Sequence, residues 1–326
     1  MTESRLRTLV ALAATGSVRG AASRLTVTES AVSASIGALA RELGVPLVEP
    51  VGRGLRLTPS GVVYARYARR ILGLLAEGAA AALQELDPER GRLRLAAVTT
   101  AGEHLLPALL AEFRRRHPGV ALALEVAPSA QVWDLVSAHE VDLVIAGAPP
   151  SGVEARVVAT KPNELVVVAA PAVAEAFDWA RTPWLLREQG SATRTRVEAY
   201  LASQHVAPPR LVLGSNGAVV AGAVAELGCA LLSRDAIVEL LSAGRLVVVP
   251  TPGTPMRRPW HAAVGAYFGA STWLFVRHLH ACGWRPHGAP SAAAPGRAPT
   301  GTPVKVPASR GAADPPSDPP TGGGAP

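Results

Sequence analysis

Three short stretches combine glycine, hydroxyl and amide residues in the way a small-anion site requires. They are Thr99-Thr100-Ala101-Gly102, Gly190-Ser191-Ala192-Thr193-Arg194 and Gly214-Ser215-Asn216-Gly217. Each stands where a strand-like run gives way to a helical pattern. A helix N-terminus offers unpaired backbone N–H donors and a partial positive charge. Thr99, Thr100, Ser191, Thr193 and Asn216 add side-chain donors, and Arg194 adds a fixed charge suited to a carboxylate or phosphate. Ordinary capping accounts for any one of these stretches. Their coincidence in one fold favours a site.

Other chemistries find no support in the chain. It contains no G-x-S-x-G elbow, no phosphate-binding P-loop, no H-E-x-x-H and no G-x-G-x-x-G. The eight histidines show no metal-ligand spacing; His278 and His280 stand two apart and the rest are scattered. Two cysteines, Cys229 and Cys282, are too few for a disulfide framework or a Cys-rich zinc site, and they read as small buried hydrophobes. They fall in different expected subdomains, which disfavours a redox pair. We therefore expect no enzyme, no cofactor and no metal.

A second chemistry lies in the arginines. Residues 1–70 carry ten arginines against four glutamates, most of the +7 net charge of the 326-residue chain. A localised basic excess suits a polyanion partner, although a solvated charged face would look the same. The elements that carry these arginines are short helices. Val18, Ala21, Ala22 and Leu25 share one helical face, with Ser17 as N-cap. After Thr26-Val27-Thr28, a second helix starts at Glu29 and repeats its apolar residues at Val32, Ile36, Leu39 and Leu43. Gly44 stops it and Pro46 forbids continuation. Its outward positions, Glu29, Ser30, Ser33, Ala34 and Gly37, are short enough for a major groove. A ribbon from Leu47 to Thr58 follows, turning at Gly52 and Gly54 and carrying Arg53 and Arg56.

The stretch GSVRGAASRLTVTESAVSASIGALARELGVPLVEPVGRGLRLTPSG resembles the winged helix-turn-helix of LysR-type transcriptional regulators. The resemblance implies DNA contacts from Arg19, Arg24, Thr28, Glu29, Ser30, Ser33, Ala34, Arg53 and Arg56. Departures from the family pattern are Glu29 where many members carry Gln, Ala34-Ser35 where Arg, His or Gln are common, and Val48 and Pro50 where Phe and Arg are common. After Thr58-Pro59-Ser60-Gly61, a stripe of Tyr64, Ala68, Ile71, Leu75, Ala79, Ala82 and Leu86 marks one long helix with a partner-seeking face. In the family this is the dimerising linker helix.

Beyond it, strand-like and helical runs alternate. Arg92–Val98, Val120–Val126 and Val141–Ala146 are near-continuous apolar strands of the buried parallel kind, separated by helices at Leu105–Arg116 and Ala130–His139. Leu165–Ala169 is another such strand, and Leu246–Val249 and His261–Tyr267 carry the chain back. The expected fold is an all-α winged helix-turn-helix domain (1–58), a linker helix (59–90), and an α/β bilobal, periplasmic-binding-protein-like effector domain (91–285). Its subdomains are 91–160 with 266–285, and 161–265. Residues 286–326 are rich in Pro, Gly and Ala and are expected to be disordered.

The stretches LLREQGSATR (185–194) and LGSNGAV (213–219) resemble the subgroup that regulates RuBisCO and Calvin-cycle operons. That resemblance implies an effector cleft for phosphorylated metabolites or dinucleotides, lined by Thr99, Thr100, Ser191, Thr193, Arg194 and Asn216. Ala148 replaces a frequent Arg there, and Ala192 a usual Gly. The partners implied are double-stranded DNA with an interrupted inverted repeat, a small anionic metabolite, a second copy through the linker helix with a homotetramer favoured, and RNA polymerase. The N-terminus has no leader pattern and no apolar run spans a bilayer, so the expected compartment is the cytoplasm. Competing readings are an enzyme built on the α/β region and a solute-binding protein without DNA function. The absent catalytic motifs oppose the first. The wing-like ribbon and the lack of a leader oppose the second.

Overall fold

The computed structural model describes residues 1–52, 54–84, 91–265 and 268–287. The tail expected to be disordered lies almost wholly outside them, as do Arg53 and Leu86. The chain opens with three helices, α1 (Glu3–Thr15), α2 (Val18–Leu25) and α3 (Glu29–Leu43). Ser17 caps α2 by accepting from the Gly20 N–H, and Thr28 caps α3 by accepting from the Ala31 N–H at 3.2 Å. Gly44 ends α3 with φ of 72°, and its N–H closes onto the Ala40 and Arg41 carbonyls. The apolar faces meet in one core of Leu9, Leu12, Ala21, Val32, Ile36, Leu39 and Leu47. Such side chains carry most of a small domain's stability; Leu39→Ala would cost about 2–5 kcal/mol.

The hairpin follows as β1 (Val48–Val51) and β2 (Gly54–Leu57), antiparallel with Val51 opposite Gly54. The long helix α4 (Pro59–Gln84) then begins under a cap from Thr58, whose hydroxyl accepts from the Gly61 N–H at 2.9 Å and donates to the Pro46 carbonyl at 2.7 Å. Gly61 is required here: a Cβ would stand 2.0 Å from the Leu47 carbonyl oxygen. The expected apolar stripe of α4 divides. Ala68 is fully buried against the chain's own residues, and Tyr64 packs on the helical core. The large apolar residues left exposed are Val62, Val63, Tyr67, Ile71, Leu74 and Leu75. The stripe is thus shared, because α4 packs along α1 for its first turns before it leaves that core.

The next region starts with β3 (Arg92–Val98), α5 (Thr99–His104), α6 (Leu106–Arg116), β4 (Ala121–Ala127), α7 (Ser129–Ser137) and β5 (Leu143–Ala146). Strand β3 pairs in parallel with β4 on one side and β5 on the other. Successive residues of β5 point to opposite faces. Leu143 and Ile145 join Leu95, Phe113 and Phe275 on one side, and Val144 and Ala146 join Val132, Trp133 and Val136 on the other. The chain continues through β6 (Arg156–Lys161) into a second lobe: β7 (Glu164–Ala169), α8 (Pro171–Glu175), β8 (Trp184–Leu186), α9 (Ala192–Ser203), β9 (Arg210–Val212), α10 (Asn216–Val224), β10 (Ala230–Ser233), α11 (Val238–Ser242), β11 (Val247–Val248) and β12 (Met256–Arg257). It returns with β13 (Trp260–Val264), α12 (Ala270–Ala281) and β14 (Arg285–Pro286).

Two expectations are corrected. Strand β7 pairs antiparallel with β10, β11 and β12, whereas its apolar run had suggested a parallel strand. Such a run reports burial on both faces and carries no information on direction. Residues 260–264, assigned to the second subdomain, belong to the first sheet, whose order is β14-β6-β13-β5-β3-β4. Strand β13 fills the slot between β5 and β6, with His261 opposite both Ala146 and Thr160. The chain therefore crosses between lobes at residues 162–163 and 258–259. The two crossings are tied together: the Arg258 N–H donates to the Asn163 carbonyl at 2.8 Å, and Asn163 Nδ2 donates to the Arg258 carbonyl at 3.0 Å. Among the described residues no helix is long and apolar enough to cross a membrane.

Candidate functional site

The cleft between the lobes is where helix N-termini converge. Thr99 opens α5 directly after β3, and Ser191 caps α9, so both lobes aim backbone N–H groups at one narrow cavity of about 20 Å³. Thr99, Thr100, Ser191 and Thr193 line it, with Arg258 and Trp260. Asn216, in the first turn of α10, stands behind the wall. It accepts from Arg187 Nη1 at 3.3 Å and more weakly from Thr100 Oγ1 at 3.5 Å, and its amide nitrogen lies 3.3 Å from His104 Nε2. It thereby links the two lobes beneath the cleft floor.

The cations of the cleft differ from the one expected. Arg194 turns along its own helix, donating from Nε to Glu198 Oε1 at 2.8 Å and from Nη1 to the Arg187 carbonyl at 3.4 Å. It is not among the lining residues. Arg187 and Arg258 are the arginines that line the cleft. Arg187 is buried and grips Glu188 with two bonds of 2.7 Å, so its charge is balanced locally. Burial works to raise the Glu188 carboxyl, but the Arg187 bonds prevail and hold it below the usual range.

Arg258 is different. Its Nη1 donates to Thr193 Oγ1 at 3.2 Å, its Nη2 and Nε lie beside Gly147, and the residue lines the cleft. Some of the residue's surface reaches solvent, yet the charged head lies deep enough that burial, aided by repulsion from Arg196, pulls its pKa down to about 10. Among the described residues no carboxylate forms an ion pair with it. A desolvated cation with no partner charge is costly, and an anion in the cleft would relieve that cost. Nothing in the local pattern of Arg257-Arg258-Pro259-Trp260 announces this role. Its one signal is position, a basic residue at the point where the chain crosses between lobes.

The basic N-terminal surface is built from exposed residues. Arg19, Glu29, Ser30 and Ser33 line a groove with Gly52 and Gly54, so the outer face of α3 and the tip of the hairpin flank one space. Arg24 and Ala34 are exposed beside it. Thr28 serves as cap, and its hydroxyl also lies 2.9 Å from that of Ser30. Arg56 bonds across the hairpin to Glu49, with Nη2 2.6 Å from Oε1, so one of the two expected ribbon cations is partly neutralised.

Comparison with known proteins agrees with this geometry. Residues 4–62 match the family model described as "Bacterial regulatory helix-turn-helix protein, lysR family", and residues 86–267 match "LysR substrate binding domain". The HTH-type transcriptional regulator CbbR of Rhodospirillum rubrum is 34% identical over 255 residues, covering 76% of this chain and 85% of that protein. The CcmR regulatory domain of Synechocystis, solved in complex with 2-PG, is 28% identical with a TM-score of 0.54, covering 59% of this chain and 96% of that one. Full-length CbnR, solved in complex with its target DNA, superposes with a TM-score of 0.60 at 20% identity, covering 86% of this chain and 99% of that one.

Proposed function

This chain belongs to the LysR family of DNA-binding transcriptional regulators, and from that premise we propose that a small anionic metabolite, held between the two lobes by Arg258, controls its action on DNA. The unpaired guanidinium of Arg258 is the observation that carries this reading. Thr99, Thr100, Ser191 and Thr193 surround it with hydroxyls and helix N-terminal N–H groups, the donors that carboxylates and phosphates take. Ala148 lacks the guanidinium common in the resembling subgroup, and Arg258 supplies one next to Gly147 instead. The binding of 2-PG by the CcmR regulatory domain supports the same ligand class. On the DNA side, α3 enters the major groove with Ser30, Ser33 and Ala34 toward the bases, Arg19 and Arg24 contact phosphates, and the hairpin reaches along the backbone with Arg53. The exposed apolar face of α4 pairs two copies, which matches an interrupted inverted repeat in the operator.

The test is calorimetric titration of the full-length protein with 2-PG and with an uncharged analogue of similar size. Binding of the anion alone is expected, and Arg258→Ala should weaken it by about 10- to 150-fold, the worth of a charge-assisted pair. A cleft that takes only the uncharged compound overturns the reading.

A further inference from the structure

We propose that Glu112, His278 and Cys282 form a site for one thiophilic divalent cation of the zinc type. Glu112 comes from the last turns of α6, His278 from the last turn of α12, and Cys282 is the C-cap residue of α12. One ligand atom from each lies within 4.8 Å of the other two. Cys282 Sγ is 3.6 Å from Glu112 Oε2, and it is 3.6 Å and 4.0 Å from His278 Nε2 and Nδ1. Around a tetrahedral zinc, sulfur at about 2.3 Å and oxygen or nitrogen at about 2.0–2.2 Å stand about 3.5 Å apart. Cys282 Sγ and Glu112 Oε2 therefore already hold near-coordination spacing, and His278 Nδ1, at 4.0 Å from the sulfur, stands slightly farther out.

Three further features favour a cation there. His278 Nε2 lies 3.0 Å from the Leu109 carbonyl oxygen, which places the proton on that nitrogen and leaves the Nδ1 lone pair for an ion after a small ring rotation. A second partner on the far nitrogen is the arrangement that orients zinc-binding histidines. Helix α12 ends at the cluster, with Cys282 as its C-cap, so its terminal carbonyls add negative potential. His278 is buried while Glu112 and Cys282 keep surface, so an ion can enter and retain a water as fourth ligand. Binding releases the thiol proton of Cys282 to solvent and changes no oxidation state. The competing cation is Arg116, which pairs with Glu112 one helical turn on and must swing away. The bound ion would fasten the ends of α6 and α12 together in the first lobe, apart from the cleft.

Sequence spacing hid the site. His278 and Cys282 stand four apart on a helix, but Glu112 arrives from 170 residues before Cys282.

Full-length protein stripped with a chelator and titrated with cobalt(II) tests the proposal. A thiolate-to-cobalt charge-transfer band should grow to saturation at one ion per chain and disappear when zinc is added. The band should vanish in Cys282→Ser and persist in Cys229→Ala, because Cys229 is sealed in the core of the other lobe. Glu112→Gln should weaken cobalt binding by at least about tenfold, and Arg116→Ala should tighten it. Both of those residues keep solvent exposure, so the variants fold whether or not an ion binds. A wild-type protein without the band, a band that survives Cys282→Ser, or affinity indifferent to Glu112→Gln overturns the site.

Discussion

On the N-terminal reader, Arg19, Arg24 and Arg56 stand exposed on short helices and a hairpin close in sequence, whereas in the cleft Arg187 and Arg258 are drawn inward by strands 71 residues apart. In the proposed function both regions face anions. The reader's charges are screened by water and salt, so each contributes little and binding grows with their number and with a second copy. The cleft has few charges, but burial strengthens each and fixes its direction. The contrast suits the proposed partners: a long polyanion tolerates many weak, sliding contacts, and a small anionic metabolite would have room for one or two strong ones.

Crossed disruptions test that contrast. The largest effect is expected from Leu75→Glu. Leu75 is 53% exposed, so the variant should fold, while the charge should separate paired copies and reduce operator affinity by about 10²–10⁴ through lost bivalency. Light scattering and gel shifts read the two outcomes, and anion binding in calorimetry should be unchanged. An unchanged mass would remove α4 as the pairing element. Arg258→Ala should do the converse, sparing basal DNA binding while anion affinity falls; an equal loss on both sides would mean that the regions are not separable. Arg194→Ala sharpens the cleft further. Its guanidinium already belongs to Glu198, and a partly exposed pair of that kind is worth about 0–1 kcal/mol. Anion affinity should therefore change by no more than about fivefold, and a loss as large as that of Arg258→Ala would return the anchoring role to Arg194.

On the reader, Arg53→Ala should flatten the salt dependence of DNA binding by about 0.9 in slope for one lost phosphate contact, without altering base preference. A change in preference at constant slope would show that Arg53 reads bases. The smallest effect is expected at Glu29. Its carboxylate complements the α3 dipole by about 0.3–1 kcal/mol and can accept from a cytosine amino group, where glutamine would both donate and accept at adenine. Selection from random DNA with Glu29→Gln should move one half-site position from C toward A. Identical preferences would leave only the dipole role.

The same contrast explains what could be read before the fold was known. The reader was legible because its signals are local: Ser17, Thr28 and Gly44 sit at the caps they promised, and Val32, Ile36 and Leu39 face the core their spacing indicated. The helix N-termini of the cleft were legible for the same reason. The cleft's cations were not. Arg194 and Arg258 are both basic residues beside a structured element, and only the crossing of two chain segments decides which is buried without a counter-charge. The division of the α4 stripe was equally hidden, because periodicity shows that a face is apolar and says nothing of which body covers it.

Where α4 meets the first lobe, Gly73 lies against the Ala138 carbonyl so closely that a Cβ would stand 2.0 Å from that oxygen. Arg69 grips Glu140 on one side with bonds of 2.9 and 2.7 Å, and Glu77 grips His139 on the other at 2.7 Å. Mechanically this is a clamp on a shaft, with one small residue at the pivot and a strut one turn away in each direction. The shaft from residue 59 to residue 73 is about 21 Å long at 1.5 Å per residue. A tilt of about 10° at the clamp would carry the end that bears the N-terminal domain through about 4 Å, close to the ~3.4 Å between successive bases along a strand. A rotation too small to notice in the lobe would, at an operator, equal the difference between one base step and the next.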